Sequence, residues 1–200
     1  ERVPGAGNPD LRWTRAEHRV LGIKHNLSGP WSLQLEAYHK PMRDLVLEDR
    51  ESGPPDNYTN ELEGEAYGVD LLAKRNLSDG RVGWLGYSWG RSFRRDTTTG
   101  ERYPFAADQP HTLQAVWSQP FHETSRWRWG ARLLARSGQP YTRVVGRTEE
   151  TYTDADGNDQ SYWAPVYGDL NGGRLPPFVR LDLRAERSYR FGWGELTTSF

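Results

Sequence analysis

The stretch Trp127-Arg128-Trp129-Gly130-Ala131-Arg132-Leu133-Leu134-Ala135-Arg136 constrains the fold more than any other part of the chain. Its odd positions read Trp, Trp, Ala, Leu, Ala, and its even positions read Arg, Gly, Arg, Leu, Arg. Successive side chains of a strand point to opposite faces, so the segment forms a ribbon with one apolar side and one cationic side. Wound as a helix it would scatter its arginines round the cylinder and leave no clean apolar stripe. Two-residue periodicity is the main sequence signal of a half-buried strand. The apolar side then needs a cover, either a second sheet or lipid.

Composition narrows that choice. Only 35% of residues are AVILMFWYC, yet there are 9 Trp and 10 Tyr. Few aliphatics with many amphipathic rings suit a sheet with one apolar face and a wet interior better than a large soluble core. A net charge of −1, from 26 basic and 27 acidic side chains, excludes a strongly basic nucleic-acid binder. No run approaches the length of a transmembrane helix. Membrane barrels escape that test, because their alternating strands leave little hydropathy signal. The absence of cysteine excludes disulfide scaffolds and thiolate metal sites. With Glu1 first and no start Met, any export signal is expected to have been removed or left out.

Taken in order, residues 1–18 are rich in Pro, Gly and charge and read as a loop. Strand one is expected over Arg19–Leu27. Strand two sets Trp31, Leu33, Leu35 and Ala37 against Ser32, Gln34, Glu36 and Tyr38, and resumes after Pro41 as 44–47 with a kink or bulge. Strand three is centred on Tyr67–Ala73 and stops at a turn over 76–80. Strand four sets Leu85, Tyr87 and Trp89 against Trp84, Gly86, Ser88 and Gly90. Strand five spans Thr112–Ser118, and strand six is the opening stretch. Strand seven sets Val179, Leu181, Leu183 and Ala185 against Arg180, Asp182, Arg184 and Glu186. Arg190–Gly194 is a turn, and Glu195–Phe200 begins an eighth strand.

The connections alternate short and long. Long loops are expected over Glu48–Glu61, Arg91–Gln109 and Ser137–Pro177, the last the longest. In an up-and-down meander alternate connections share an end, so one end carries only tight turns and the other all the long loops. That asymmetry is the signature of an outer-membrane barrel, whose periplasmic turns are short and extracellular loops long. The fold class is therefore all-β, an antiparallel up-and-down meander of the transmembrane β-barrel kind, and eight strands could in principle close alone. Trp31, Trp84, Trp89, Trp117, Trp127 and Trp129 sit near strand ends, as interfacial girdles require. Arg128, Arg132 and Arg136, with Arg180, Asp182 and Arg184, then face a hydrated lumen, where they form an ion-pair ladder or meet an internal domain or an anionic solute.

Catalytic and metal signals are weak. The histidines at 18, 25, 39, 111 and 122 make no metalloprotease pair. No G-x-S-x-G, phosphate-binding loop or dinucleotide fingerprint occurs. The run Asp154-Ala155-Asp156-Gly157-Asn158-Asp159 lacks the downstream Glu and the helices of a calcium loop and reads as a mobile polar loop. The chain is accordingly read as a non-enzyme with no cofactor and no bound metal.

Several phrases together resemble one family. Asn8-Pro9-Asp10-Leu11, Gly22-Ile23-Lys24-His25, Ala37-Tyr38 followed by Arg43-Asp44-Leu45-Val46, and Gly64-Glu65-Ala66-Tyr67-Gly68-Val69-Asp70 come first. Asp108-Gln109-Pro110-His111-Thr112-Leu113, Ser137-Gly138-Gln139-Pro140-Tyr141 and Arg174-Leu175-Pro176-Pro177-Phe178-Val179-Arg180-Leu181-Asp182-Leu183-Arg184 follow. In this order they resemble the barrel of TonB-dependent outer-membrane receptors, in its C-terminal part. The resemblance implies a ring of about 22 strands enclosing a plug. It also implies TonB-powered uptake of a scarce ligand such as a ferric siderophore or cobalamin, across the outer membrane of a Gram-negative cell.

On that basis residues 1–200 are a partial receptor barrel domain of seven strands and the start of an eighth. The expected partners are outer-membrane lipid, the receptor's own plug and TonB through a part absent here, and a small-molecule ligand such as an iron chelate. Phe200 is read as a truncation point. Ligand contacts are expected from the longest loop, at Tyr141, Arg143, Tyr152, Tyr162 and Trp163, since rings and Arg give area and directed donors. The competing readings are a passive porin-like barrel and a secreted β-sandwich binding module. The sandwich would require the apolar strand faces to pack on each other.

Overall fold

A computed structural model describes residues 8–48, 58–75, 80–122 and 125–200. The strands are β1 (Arg15–Ala16), β2 (Arg19–Asn26), β3 (Trp31–Glu48), β4 (Tyr58–Arg75), β5 (Val82–Asp96), β6 (Arg102–Pro104) and β7 (His111–Pro120). They continue as β8 (Trp127–Arg136), β9 (Pro140–Tyr141), β10 (Val144–Thr153), β11 (Asp159–Tyr167), β12 (Gly173–Arg174), β13 (Phe178–Phe191) and β14 (Gly194–Ser199). One antiparallel sheet runs β1-β3-β4-β5-β7-β8-β13-β14, with β2 on β3 and β6 on β5. The alternating stretch Trp127–Arg136 is β8, residue for residue.

β1 and β2 lie end to end along β3, Arg15 opposite Arg43 and Arg19 opposite His39. Between them the Glu17 N–H donates to the Pro41 carbonyl. The expected loop over residues 1–18 therefore contains a short strand, held by the far half of β3. β3 itself passes unbroken through Pro41, which stays in register with Glu65. The bulge lies just beyond, where the register shifts between Met42 and Leu45 and Asp44 takes a φ of 55°. A bulged residue left over from the ladder bends the strand there.

Register then assigns every side chain to a face. Leu21, Ala37, Val69, Trp89 and His111 line up across β2, β3, β4, β5 and β7. Leu113, Ala135 and Val179 continue the same face across β7, β8 and β13. The other face carries Glu36, Asp70, Ser88, Thr112 and Arg136. Among the described residues no second sheet covers the apolar side: Leu21 is 80% exposed and Leu183 73%. Leu62 and Ala164 are the only buried aliphatic or aromatic side chains of the strands among the described residues. A sandwich would have placed the strand leucines in that class, so this architecture is a single wall.

The two ends differ as the alternation of connection lengths predicts. Residues 27–30, 121–126 and 192–193 connect strands at one end, and the turn expected over 76–80 belongs there with 76–79 outside the described residues. Residues 97–110 and 137–177 connect strands at the other; of the loop expected over 48–61, Glu48 belongs to β3 and 58–61 to β4, and 49–57 lie outside the described residues. Both described loops contain more order than expected. β5 continues to Asp96 and turns back into β6, and the longest loop holds β9 to β12. These segments place Thr, Glu, Arg and Tyr on both faces, so β-propensity is high while apolar alternation is absent.

Rings cluster at the edges of the apolar face. At the turn end Trp31 and Trp117 stack at 6.3 Å, and Trp117 covers Gly83 so closely that a Cβ there would lie 2.2 Å from its ring. At the loop end Trp89 meets Tyr67 at 6.2 Å. Trp84 does not join this set. It pairs with Lys74 and Val116 on the polar face, as a neighbour of the apolar-facing Leu85 must.

Candidate functional site

The charged ladder expected on β8 and β13 is assembled on one face. Arg128 opposes Glu186 and Arg132 opposes Asp182, with Arg184 opposite Gly130, Arg180 opposite Leu134 and Arg136 opposite Phe178. The ion pairs, however, run along β13 and not across the strands. Arg180 Nε binds Asp182 Oδ1 at 2.8 Å, and Arg184 Nη2 binds Glu186 Oε1 at 2.7 Å. Arg128 turns away and donates to the Gly80 carbonyl at 2.7 Å, bracing the neighbouring turn. Arg132 and Arg136 make no hydrogen bond or ion pair with any described residue; the Arg136 guanidinium lies 5.6 Å from the Phe178 ring. A shallow cavity of about 350 Å³ beside them is lined by Arg132, Asp182, Arg184 and Glu186 with Val116 and Ser118. This face thus offers guanidinium groups whose local carboxylates are already engaged.

The five loop residues do not form one cluster. β10 and β11 make a free-standing hairpin, with Glu150 opposite Tyr162 and Glu149 opposite Trp163. Tyr152 and Tyr162 meet edge to face at 6.0 Å on one side of the ribbon. The Tyr162 hydroxyl donates to the Glu150 carboxylate, which holds the phenol above its usual pKa. Trp163 falls on the opposite side, with the Arg147 guanidinium 4.7 Å from its ring. Tyr141 and Arg143 sit at the root, packed over Gly173, where a Cβ would come within 3.0 Å of both side chains. The polar loop over 154–159 is a hydrogen-bonded turn between β10 and β11. The Asp154 carboxylate accepts the N–H groups of Asp156 and Asn158 and the Gln160 side-chain amide, which lowers its pKa.

Sequence reasoning missed the most deeply buried charge among the described residues, Asp108. The Asp108 side chain is 1% exposed. Its Oδ2 receives Arg174 Nη2 at 2.8 Å and Arg91 Nε at 3.3 Å, and its Oδ1 receives the Ser92 N–H at 2.7 Å. Arg174 Nη1 also donates to the carbonyls of Asp108 and Gly138. Beside it Gln109 donates to the Ser137 carbonyl, and the His111 N–H donates to the Ser137 hydroxyl. Gly138 is required here, since a Cβ would lie 1.7 Å from the Leu175 carbonyl oxygen. Three of the phrases that carried the resemblance, around Asp108, Ser137 and Arg174, therefore converge on one knot at the root of both described loops. The available signal was the presence of Asp, Ser-Gly and Arg at strand ends, where no apolar alternation explains them.

Comparison with known proteins agrees with this architecture. The family described as TonB dependent receptor-like, β-barrel, matches residues 2–200. Among solved structures, the FrpB iron transporter from Neisseria meningitidis (F3-3 variant) superposes with a TM-score of 0.59 over 89% of this chain, at 14% identity. The matched region is 25% of that structure's chain, so this chain spans about a quarter of its length. At that identity the likeness is one of fold. No curated protein sequence matches significantly.

Proposed function

The chain belongs to the TonB-dependent receptor β-barrel family, and from that premise we propose that it is wall from an outer-membrane receptor that imports a scarce ligand at the expense of energy. The observation that carries this reading is the uncovered apolar face on a sheet whose long, structured loops all lie at one end. In a bilayer that face meets hydrocarbon, and closure of the ring hides the strand edges. The opposite face, with Arg128, Arg132, Arg136, Arg180, Asp182 and Arg184, lines the lumen. There the uncompensated guanidiniums of Arg132 and Arg136 meet an internal plug or an anionic solute. The β10–β11 hairpin stands at the extracellular mouth, where Tyr152 and Tyr162 on one side and Trp163 on the other supply ring contacts to a ligand such as a ferric siderophore or cobalamin. Tyr141 and Arg143 set the hairpin's base. Coupling to TonB and gating by the plug belong to other parts of the receptor. In this reading the protein carries out transport and no catalysis.

The test is uptake of labelled ferric chelates and cobalamin by cells carrying or lacking the full-length receptor, with and without a protonophore. Uptake that requires both the receptor and the proton gradient supports the proposal. Uptake that survives the protonophore, with steady conductance of the purified protein in planar bilayers, would establish a passive pore instead.

A further inference from the structure

Just beyond the Tyr67–Trp89 pair that ends the apolar face at the loop side, the same face becomes cationic. Glu65 opposes Pro41 on one neighbour and Phe93 on the other, with Arg43 two residues on from Pro41, and Arg95 opposes Arg102 across the β5–β6 hairpin. A cavity of about 290 Å³ opens among His39, Arg43, Glu65, Phe93, Arg95 and Arg102. Glu65 is engaged from two sides, by His39 Nε2 at 3.0 Å and Arg102 Nη2 at 3.4 Å. Arg102 also lies 3.6 Å over the Phe93 ring, which fixes its plane. Glu63 opposes Arg95 from β4 but forms no ion pair with it, and neither Arg43 nor Arg95 bonds to any described residue. Like charges opposed directly across a strand pair, as Arg95 and Arg102 are, destabilise it, and Glu65 bonds only to the second of the two.

We propose that this cavity seats the phosphate of an outer-leaflet lipid headgroup, with the acyl chains running down the Tyr67, Val69 and Leu71 stripe. The inference rests on reading the apolar face as lipid-facing. Forked guanidinium donors match phosphate oxygens, and several can share one group. The cavity lies on the face opposite the Arg132–Arg136 wall, so it is off any route through the lumen. Its continuity with the apolar stripe favours a lipid over a free anion.

The experiment uses the full-length receptor in mild detergent, with lipid retention read by native mass spectrometry. The probes are diphosphorylated lipid A, its dephosphorylated counterpart and inorganic phosphate. Wild type should hold the diphosphorylated lipid at least tenfold more tightly than the dephosphorylated one. The combined Arg43→Ala, Arg95→Ala and Arg102→Ala variant should lose that preference, while Arg187→Ala, at the opposite end of the same face, should keep it. Equal retention of both lipids, or an unchanged triple variant, overturns the proposal, and so does displacement by inorganic phosphate at matched concentration. Quenching of tryptophan fluorescence by brominated lipid is measured in parallel. Quenching without phosphate preference removes only this site, whereas no quenching removes the lipid-facing reading beneath it.

Discussion

Substitution of Asp108 should loosen the loops at 97–110 and 137–177 without unfolding the wall. Its carboxylate is buried and accepts from Arg174, Arg91 and the Ser92 N–H. Breaking a buried charge pair costs about 3–5 kcal/mol when the abandoned partner stays dry. Here the partners are not dry: the Arg174 and Arg91 side chains are 34% and 32% exposed, so water takes over part of their solvation. The Arg174 bonds to the carbonyls of Asp108 and Gly138 also survive the change. Asp108→Ala should therefore cost about 2–3 kcal/mol, and Asp108→Asn, which retains an acceptor for the Ser92 N–H, about 1–2 kcal/mol. Because the knot joins the roots of both described loops, the cost should fall on local opening of residues 137–177. At about 1.4 kcal/mol per decade, the open population should rise some 30- to 150-fold for the alanine variant. Protease cleavage within 137–177 on intact cells tracks that population when opening is fast relative to cutting. If Asp108→Ala is cut within about twofold of the wild-type rate, the knot does not hold the loop and the reasoning fails.

Three further outcomes are expected. Leu183→Arg should destabilise the receptor in bilayers by about 2–4 kcal/mol, whereas Asp182→Asn next to it should cost under about 1 kcal/mol, because only the first side chain meets hydrocarbon; denaturant titration in lipid vesicles measures both. Gly68→Val should cost about 1–3 kcal/mol in the same assay, since a Cβ there would lie 2.4 Å from the Trp89 carbonyl and 2.7 Å from the Tyr38 hydroxyl, and the backbone cannot yield as a side chain does. The hairpin turn should loosen in acid. Hydrogen bonds lower the Asp154 pKa in the folded turn, so its contribution is complete above the ordinary carboxylate pKa and is lost as pH falls through the depressed value. Protection of the Asp156 and Asn158 amides, taken relative to their intrinsic exchange rates, should therefore fall only in that acid range, and Asp154→Ala should abolish the dependence.

Much of the wall was legible in the amino-acid order because its physics is local. Period-two alternation assigns each side chain of β8 and β13 to a face whatever the neighbouring strands do, and the spacing of turns sets the meander. The same logic recovered the cationic row Arg128, Arg132 and Arg136. Trp84 was placed with the girdle from its position near a strand end, although its adjacency to Leu85 already put it on the polar side. β10 and β11 were not visible, because a ribbon wet on both sides carries no alternation to detect. The separation of Trp163 from Tyr152 and Tyr162 was hidden for the same reason, since parity has meaning only once a strand is recognised.

The identity of the long wall strands, the alternation of their faces and the division into a turn end and a loop end were settled by the sequence alone, through contacts between residues two apart or in adjacent strands. Only the tertiary structure decided which charges find partners. Asp182 opposes Arg132 in register yet bonds to Arg180 on its own strand, and Asp108 reaches Arg174 from 66 positions away. An ion pair depends on the reach and rotamers of two long side chains after the loops have closed, and no local pattern encodes that distance.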